Sequence, residues 1–271
     1  MKALQRNWIY IPLFGIGLLF FTPFFIMAVG SLLELRTPMG NPFAWVLKEK
    51  LSLGNFTYIF TNAKYAQWIM NSLIITIIPV FSTMFFSAVL GYIFARKQFP
   101  FREFIFWMMM GVVMIPGQLL IIPRYIMFSE LGWINTYLPL IVPEIWGIMG
   151  VFFVRQFMMT LPKDLEEAAH IDGANDFTVF FRIYLPLAKP VIATVGTFAF
   201  ISNWNDLLTP LIFTTSEEMF PVTVGLASLL TKEGHFGVEM AGSVLSFIPT
   251  FLIFLFFQKY FVKGIALSGM K

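Results

Sequence analysis

The stretch EEAAHIDGANDFTVFFRIYLP, residues 166–186, is a charged island between long apolar runs. Upstream of it, positions 131–154 carry one charge, Glu144, and downstream, positions 190–216 carry only Asp206. Positions 7–33, 65–95, 104–123 and 240–258 carry none. About 20 apolar residues in a helix cross the hydrocarbon core of a bilayer. The six blocks therefore predict six transmembrane helices, near 9–33, 69–95, 104–127, 138–158, 190–213 and 241–261. Runs this long do not alternate as barrel strands do, and only helices or closed barrels satisfy the backbone in lipid. The expected fold class is an all-α polytopic membrane protein.

Composition agrees. With 58% apolar residues, 12% charged residues and 34 Phe, the chain lies outside the soluble globular range. Lys2 and Arg6 precede a first apolar block too long for a cleaved signal, so an uncleaved anchor is expected. The absence of cysteine rules out disulfides and thiolate metal sites. The net charge of +3 follows from topology and is no nucleic-acid signal. With the N-terminus inside, Lys2, Arg6, Arg96, Lys97, Arg102, Arg155, Lys163, Arg182, Lys189, Lys259, Lys263 and Lys271 are cytoplasmic, against Arg36, Lys48, Lys50, Lys64, Arg124 and Lys232 outside. That bias predicts both termini, and the loop 159–189, on the cytoplasmic side.

The expected organisation is an N-terminal helix with an external segment over 1–66, a five-helix transmembrane domain over 67–261, and a cytoplasmic tail over 262–271. Pro38, Gly40, Asn41, Pro42 and Gly54 mark turns in the external segment. Asn55-Phe56-Thr57 matches a glycosylation sequon of a length that chance explains. Helix 3 is expected to be interrupted at Pro116-Gly117 and at Pro123. Prolines within spans are read as ordinary membrane-helix tolerance or as hinges. Residues 214–240 are expected to be a solvated external connector.

Within the charged loop, Pro162 suits a first helical turn, and Asp164, Glu166 and Glu167 complement the positive helix end. Ala168 and Ala169 favour helix and Gly173 ends it, which predicts a helix of about eleven residues. Asp176 is expected to cap a second segment, 177–185, with Phe177, Phe180, Phe181, Ile183 and Leu185, before Pro186 and Pro190 turn the chain into helix 5. The first helix lacks the basic and bulky apolar faces of a membrane-surface helix. Docking into a cytoplasmic protein is the better reading.

The spacing Glu-Ala-Ala, three residues, Gly, nine residues, Ile-x-Leu-Pro resembles the EAA loop of permease subunits in binding-protein-dependent ABC importers. Every position is filled: Glu167, Ala168, Ala169, Gly173, Ile183, Leu185 and Pro186. Ile171-Asp172-Gly173-Ala174, Trp204-Asn205-Asp206 with Pro210-Leu211, Tyr260-Phe261-Val262-Lys263-Gly264, Asn71-Ser72 and Leu131-Gly132-Trp133-Ile134-Asn135-Thr136 extend the resemblance toward carbohydrate importers. It is closest to the shorter six-helix permease of maltose-type systems. The end departs, with Ala266-Leu267-Ser268-Gly269-Met270-Lys271 in place of the family's Gly-rich Val-Lys-Gly ending. The resemblance implies a type I ABC importer permease fold in a bacterial cytoplasmic membrane. It implies as partners a second permease, two cytoplasmic ATPase subunits and an extracytoplasmic sugar-binding protein. Glu167, Ala168, Ala169, Asp172, Gly173 and Ala174 are the coupling residues it implies.

No G-x-x-x-x-G-K-[ST] phosphate loop occurs, so the chain is expected to be no enzyme and to hold no cofactor, with ATP and Mg on the partner ATPases. Glu144 and Asp206 are the acids deep in the predicted spans, without a buried His or Lys, which disfavours ion coupling. Asn203, Trp204, Asn205 and Asp206 form the most polar intramembrane cluster and are candidates to line a sugar pathway; Glu144 is equally open between that role, the external mouth and a partner helix, and Gln118 is a weaker candidate. Interhelical bonding is the competing reading for that cluster. His170 and His235 are expected to be ordinary loop residues, with no second ligand at metal spacing. The functional expectation is an ATP-driven oligosaccharide or glycoside importer subunit. A permease for a non-sugar solute and an ion-coupled carrier are the rivals.

Overall fold

The computed structural model describes residues 10–34, 50–62, 64–233 and 235–268, and among these helices are joined by turns and there is no strand. Lys2, Arg6, Arg36, Lys48 and Lys271 of the charge count lie outside the described residues, as do Pro38, Gly40, Asn41 and Pro42. The longer helices are α1 (Tyr10–Ser31), α2 (Gly54–Asn62), α3 (Tyr65–Arg96), α4 (Arg102–Val113) and α5 (Ile121–Glu130). After a single turn, α6 (Leu138–Ile141), come α7 (Ile148–Met159) and α8 (Asp164–Ile171). The chain continues through α9 (Asp176–Val179), a π turn (Phe180–Tyr184), α10 (Leu185–Leu187), α11 (Lys189–Trp204), α12 (Leu208–Phe213), α13 (Val222–Glu233) and α14 (Phe236–Ser268).

Among the described residues, four helices, Tyr10–Ser31, Tyr65–Arg96, Leu138–Met159 and Phe236–Lys259, are long and apolar enough to cross a membrane. The count reaches six when two bent pairs are included. Arg102–Val113 and Gly117–Glu130 meet at 83°, and Asp176–Leu187 and Lys189–Trp204 at 71°. The first bend falls at Pro116, whose missing N–H and ψ of 125° end the α-helical path. Pro123 makes no interruption, because it sits in the first turn of α5 where no donor is needed. Pro23, Pro79 and Pro249 likewise lie inside unbroken helices. The predicted helix 5 is split after Trp204, and α14 runs on through Ser268, so 262–268 continue the last helix.

The chain divides into two compact units. The first comprises Met1–Ala66 with Val224–Pro249. In it the Asn55 amide, fully buried, donates to the carbonyls of Ser31 (3.2 Å) and Leu33 (2.7 Å). A side chain so used is no glycan acceptor. Gly30 lets α1 approach Phe236 and Met240 of α14, and Phe24 meets Phe247 at 5.1 Å.

The second unit, Gln67–Thr223 with Thr250–Lys271, is organised around α3. Gly91 lies against Val154, Gly150 against Ser87 and Val195, and Gly196 against Met84. A Cβ at any of these would overlap its neighbour, so the glycines set how closely α3, α7 and α11 pack. Close backbone approach through small residues is how helices associate without a hydrophobic drive in lipid. The N-terminal end of α3 holds the segment after α12. Asn71 donates to the carbonyls of Glu218 (2.7 Å) and Phe220 (2.8 Å), and Ser72 accepts from the Val222 amide at 2.8 Å. Asn135, at φ 61°, accepts from the amides of Thr215 and Ser216 at 2.9 and 3.0 Å. The described residues of 214–240 are therefore largely folded and no plain connector, with a 3-10 turn (Glu217–Met219), α13 and the start of α14 among them.

Candidate functional site

The loop at the C-terminal end of α3 is a built corner. The first helix, α8, has eight residues and starts at Asp164, shorter than expected, because Pro162 and Lys163 lead into it. Asp164, Glu166 and Glu167 occupy its first turn, as its dipole favours. Its end is a Schellman cap: Gly173 N–H donates to His170 O (3.0 Å) and Ala174 N–H to Ala169 O (2.9 Å). Gly173 stands at φ +84°, where glycine carries no steric cost. The second segment is capped by Asn175, whose side chain accepts from the Thr178 amide at 2.9 Å. The expected cap, Asp176, instead faces Lys97. The π turn ends just before Pro186, which cannot donate to the carbonyl of Arg182 and crowds it, so the backbone widens there.

Val179, Phe180 and Tyr184 are buried with Ala88, Tyr92, Val154, Met158 and Ala188 in one core cluster, against which Ala169 and Ala174 pack. Those two alanines are thus the inner seat of the corner. Glu167, Ala168, Asp172 and Gly173 are exposed. Beside them stand Ile171 and Phe177, 86% and 75% exposed, with Leu165 also exposed. These apolar anchors were not nominated from sequence, since position in a motif does not show which side faces out. Large apolar groups held out among Asp164, Glu167 and Asp172 mark a contact surface.

Cations at the end of α3 hold this corner. Arg96 donates to the carbonyls of Met158 (2.6 Å) and Leu161 (2.5 Å) and lies 4.8 Å from the Tyr184 ring centroid. Lys97 bonds Glu166 at 2.8 Å and Asp176 at 2.7 Å. Burial pulls the Lys97 pKa down, but the bonds to Asp176 and Glu166 outweigh it and hold the group above its ordinary value. The bond from Lys97 in turn holds Asp176 below the ordinary carboxylate range. Nearby, Arg155, 5% exposed, donates to both oxygens of Glu103 at 2.9 Å and stacks 4.0 Å from the Phe106 ring centroid. His170 stands at i+4 from Glu166 and close to Asp176, so this histidine does have partners at ligand distance. The ammonium of Lys97 already supplies the positive charge there.

The polar cluster of the fifth predicted span divides differently. The break after Trp204 puts Asn203 and Asp206 on a small cleft of about 20 Å³, together with Glu144, Thr209, Pro139 and Pro210. That is room for about one water. Asp206 accepts from the Thr209 amide (3.3 Å), and its carbonyl accepts from Thr223 (2.9 Å). Asn203 donates to Ala199 O. Trp204 does not line this cleft: it is 2% exposed and stacked on Phe200 at 5.6 Å, because α11 turns its indole into the bundle. Asn205 is exposed and donates to Ile201 O and to Thr250. Gln118, exposed in the 3-10 turn after Pro116, is not among the residues lining the cleft.

Among the described residues, four apolar spans, two bent pairs, a polar cleft within the spans and an exposed corner define a multi-pass helical membrane protein. Residues 87–267 match the family described as binding-protein-dependent transport system inner membrane component, and the chain belongs to that family. It is 40% identical, over 82% of its length and 80% of the relative's, to the arabinooligosaccharides transport system permease protein AraQ of Halalkalibacterium halodurans. It is 30% identical, over 100% of its length and 98% of the relative's, to the trehalose/maltose transport system permease protein MalG of Thermococcus litoralis. Its fold matches a bacterial ABC transporter involved in the import of alginate, with TM-score 0.77 and 21% identity, over 96% of this chain and 98% of that one.

Proposed function

We propose that this chain is one permease of an ATP-driven importer of oligosaccharides or related glycosides. It forms half the translocation pathway with a second permease. The loop 159–189 and both termini face the cytoplasm, where two ATPase subunits bind ATP and Mg. An extracytoplasmic binding protein delivers the sugar. The observation that carries this reading is the exposed face of the corner, with Leu165 and Ile171 of α8 and Phe177 of α9 among acids, on a chain of a binding-protein-dependent family. The sugar cargo rests on relatives named for arabinooligosaccharide and trehalose/maltose transport. Glu144, Asn203 and Asp206 offer this subunit's acceptors and amide to passing hydroxyls, at a cleft too small to enclose a sugar by itself.

The test is uptake of radiolabelled oligosaccharides, amino acids and phosphate by proteoliposomes containing the complete complex. ATP-dependent accumulation of oligosaccharide alone is expected. Accumulation that persists without the ATPases, or only of a non-sugar solute, overturns the reading.

A further inference from the structure

Lys97 stands one residue past α3 and joins both arms of the loop, bonding Glu166 of α8 and Asp176 at the start of α9. The other oxygen of Glu166 accepts from Tyr184 at 3.2 Å. The Lys97 ammonium also lies 5.4 Å from the Tyr92 ring centroid. Against this, α8 and its cap contribute to the core cluster only Ala169 and Ala174, side chains too small to interlock. Glu166 and Asp176 place carboxylate oxygens within 4.8 Å of each other. With the ammonium removed, two like charges would face one another across the corner and push α8 from α9.

We propose that Lys97 is a positioning residue for energy coupling: it makes α8 and α9 move with α3, so that a push on the exposed face reaches the span. The proposal rests on the coupling role given to the loop above. Loss of the latch leaves the docking face intact but lets the loop absorb the displacement. Assembly and ATP hydrolysis then continue while transport fails. A residue that merely supports folding would lower both together.

The experiment compares Lys97→Met, Lys97→Arg and the exchange pair Lys97→Glu with Glu166→Lys in the complete complex. Sugar uptake per ATP hydrolysed is measured beside amide exchange of residues 164–179. For Lys97→Met, hydrolysis stays within about twofold, uptake per ATP falls about tenfold, and exchange speeds up about tenfold, as expected for losing two charge-assisted bonds at a partly exposed site. Lys97→Arg and the exchange pair recover most of the coupling. Unchanged uptake per ATP, or parallel loss of uptake and hydrolysis with unchanged exchange, overturns the proposal. Should Lys97→Met not insert, Glu166→Gln weakens the same bond, and it must lower uptake per ATP about threefold. If the native complex binds no ATPase, the coupling reading fails. Equal exchange in the native and Lys97→Met permease overturns the latch independently.

Discussion

Gly173 is the position where a single Cβ should report on coupling most cleanly. Its φ of +84° lies in the left-handed region, and a Cβ built there meets nothing within 4 Å. A substitution therefore carries the backbone cost alone, without a clash to confuse it. For alanine that cost is about 1–2 kcal/mol. Asparagine, which tolerates the conformation, should pay less, and a β-branched valine more. The two bonds of the cap, Gly173 to His170 and Ala174 to Ala169, depend on this one torsion. An eight-residue helix has no stability of its own to spare in water. A loss of 1–2 kcal/mol is a factor of about 5–30 in the closed population. Amide exchange of α8 in the complete complex should accelerate in the order Asn, Ala, Val, with sugar uptake falling in the same order. Gly173→Pro, which fixes φ near −65° and deletes the bond to His170, should abolish uptake with the protein still inserted. Native exchange and uptake in Gly173→Val would refute the reasoning.

Three further outcomes are expected. Glu103→Ala, which strands the buried guanidinium of Arg155, should lower the detergent melting temperature more than Arg155→Met with Glu103→Ala together; equal melting temperatures would deny the pair a role. Trp204→Ala should cost about 3–5 kcal/mol and cut folded yield, whereas Asn205→Ala should leave yield intact, as fluorescence-detected gel filtration would show. The Lys97–Asp176 pair should protect the loop evenly from about pH 5 to pH 9. Asp176, held low, contributes above its ordinary carboxylate range and loses the contribution as pH falls through its lowered value. Lys97, held high, contributes below its ordinary range and loses the contribution only as pH rises through its raised value. Exchange protection corrected for intrinsic rates checks this in a His170→Gln background, because that imidazole stands 3.5 Å from Asp176, and a transition inside the window would contradict it.

What the sequence revealed and what it hid follow from distance along the chain. Apolar runs and the Gly173 cap are local, so the spans and the end of α8 could be read directly. Asp176 and Asn175 are adjacent and both suit a cap, and only the reach of Lys97 decides between them. Lys97 itself looked like one more charge for the inside count, because its partners stand 69 and 79 residues away. The same holds for Asn71 and Ser72, whose bonds to Glu218 and Val222 span about 150 residues and turn an apparent connector into structure. The burial of Trp204 is not legible in the sequence, because the residue sits between polar neighbours. Neighbouring helix residues point about 100° apart, so the Trp204 indole turns into the bundle beside Asn203 on the cleft, and the break after Trp204 brings Asp206 to the cleft as well.

The π turn at Phe180–Tyr184 has a consequence for how this corner is aimed. A π turn holds one residue more than the α-helix would use, and each residue is worth about 100° of rotation. Everything before it, including the Schellman cap and the faces of Ile171 and Phe177, is phased against α11 by that one inserted residue. Removing one residue from 180–184 would change that phase by about 100°. The corner would then turn by about a quarter-turn and draw Glu166 and Asp176 away from Lys97. The direction in which the loop points is written as a count of residues.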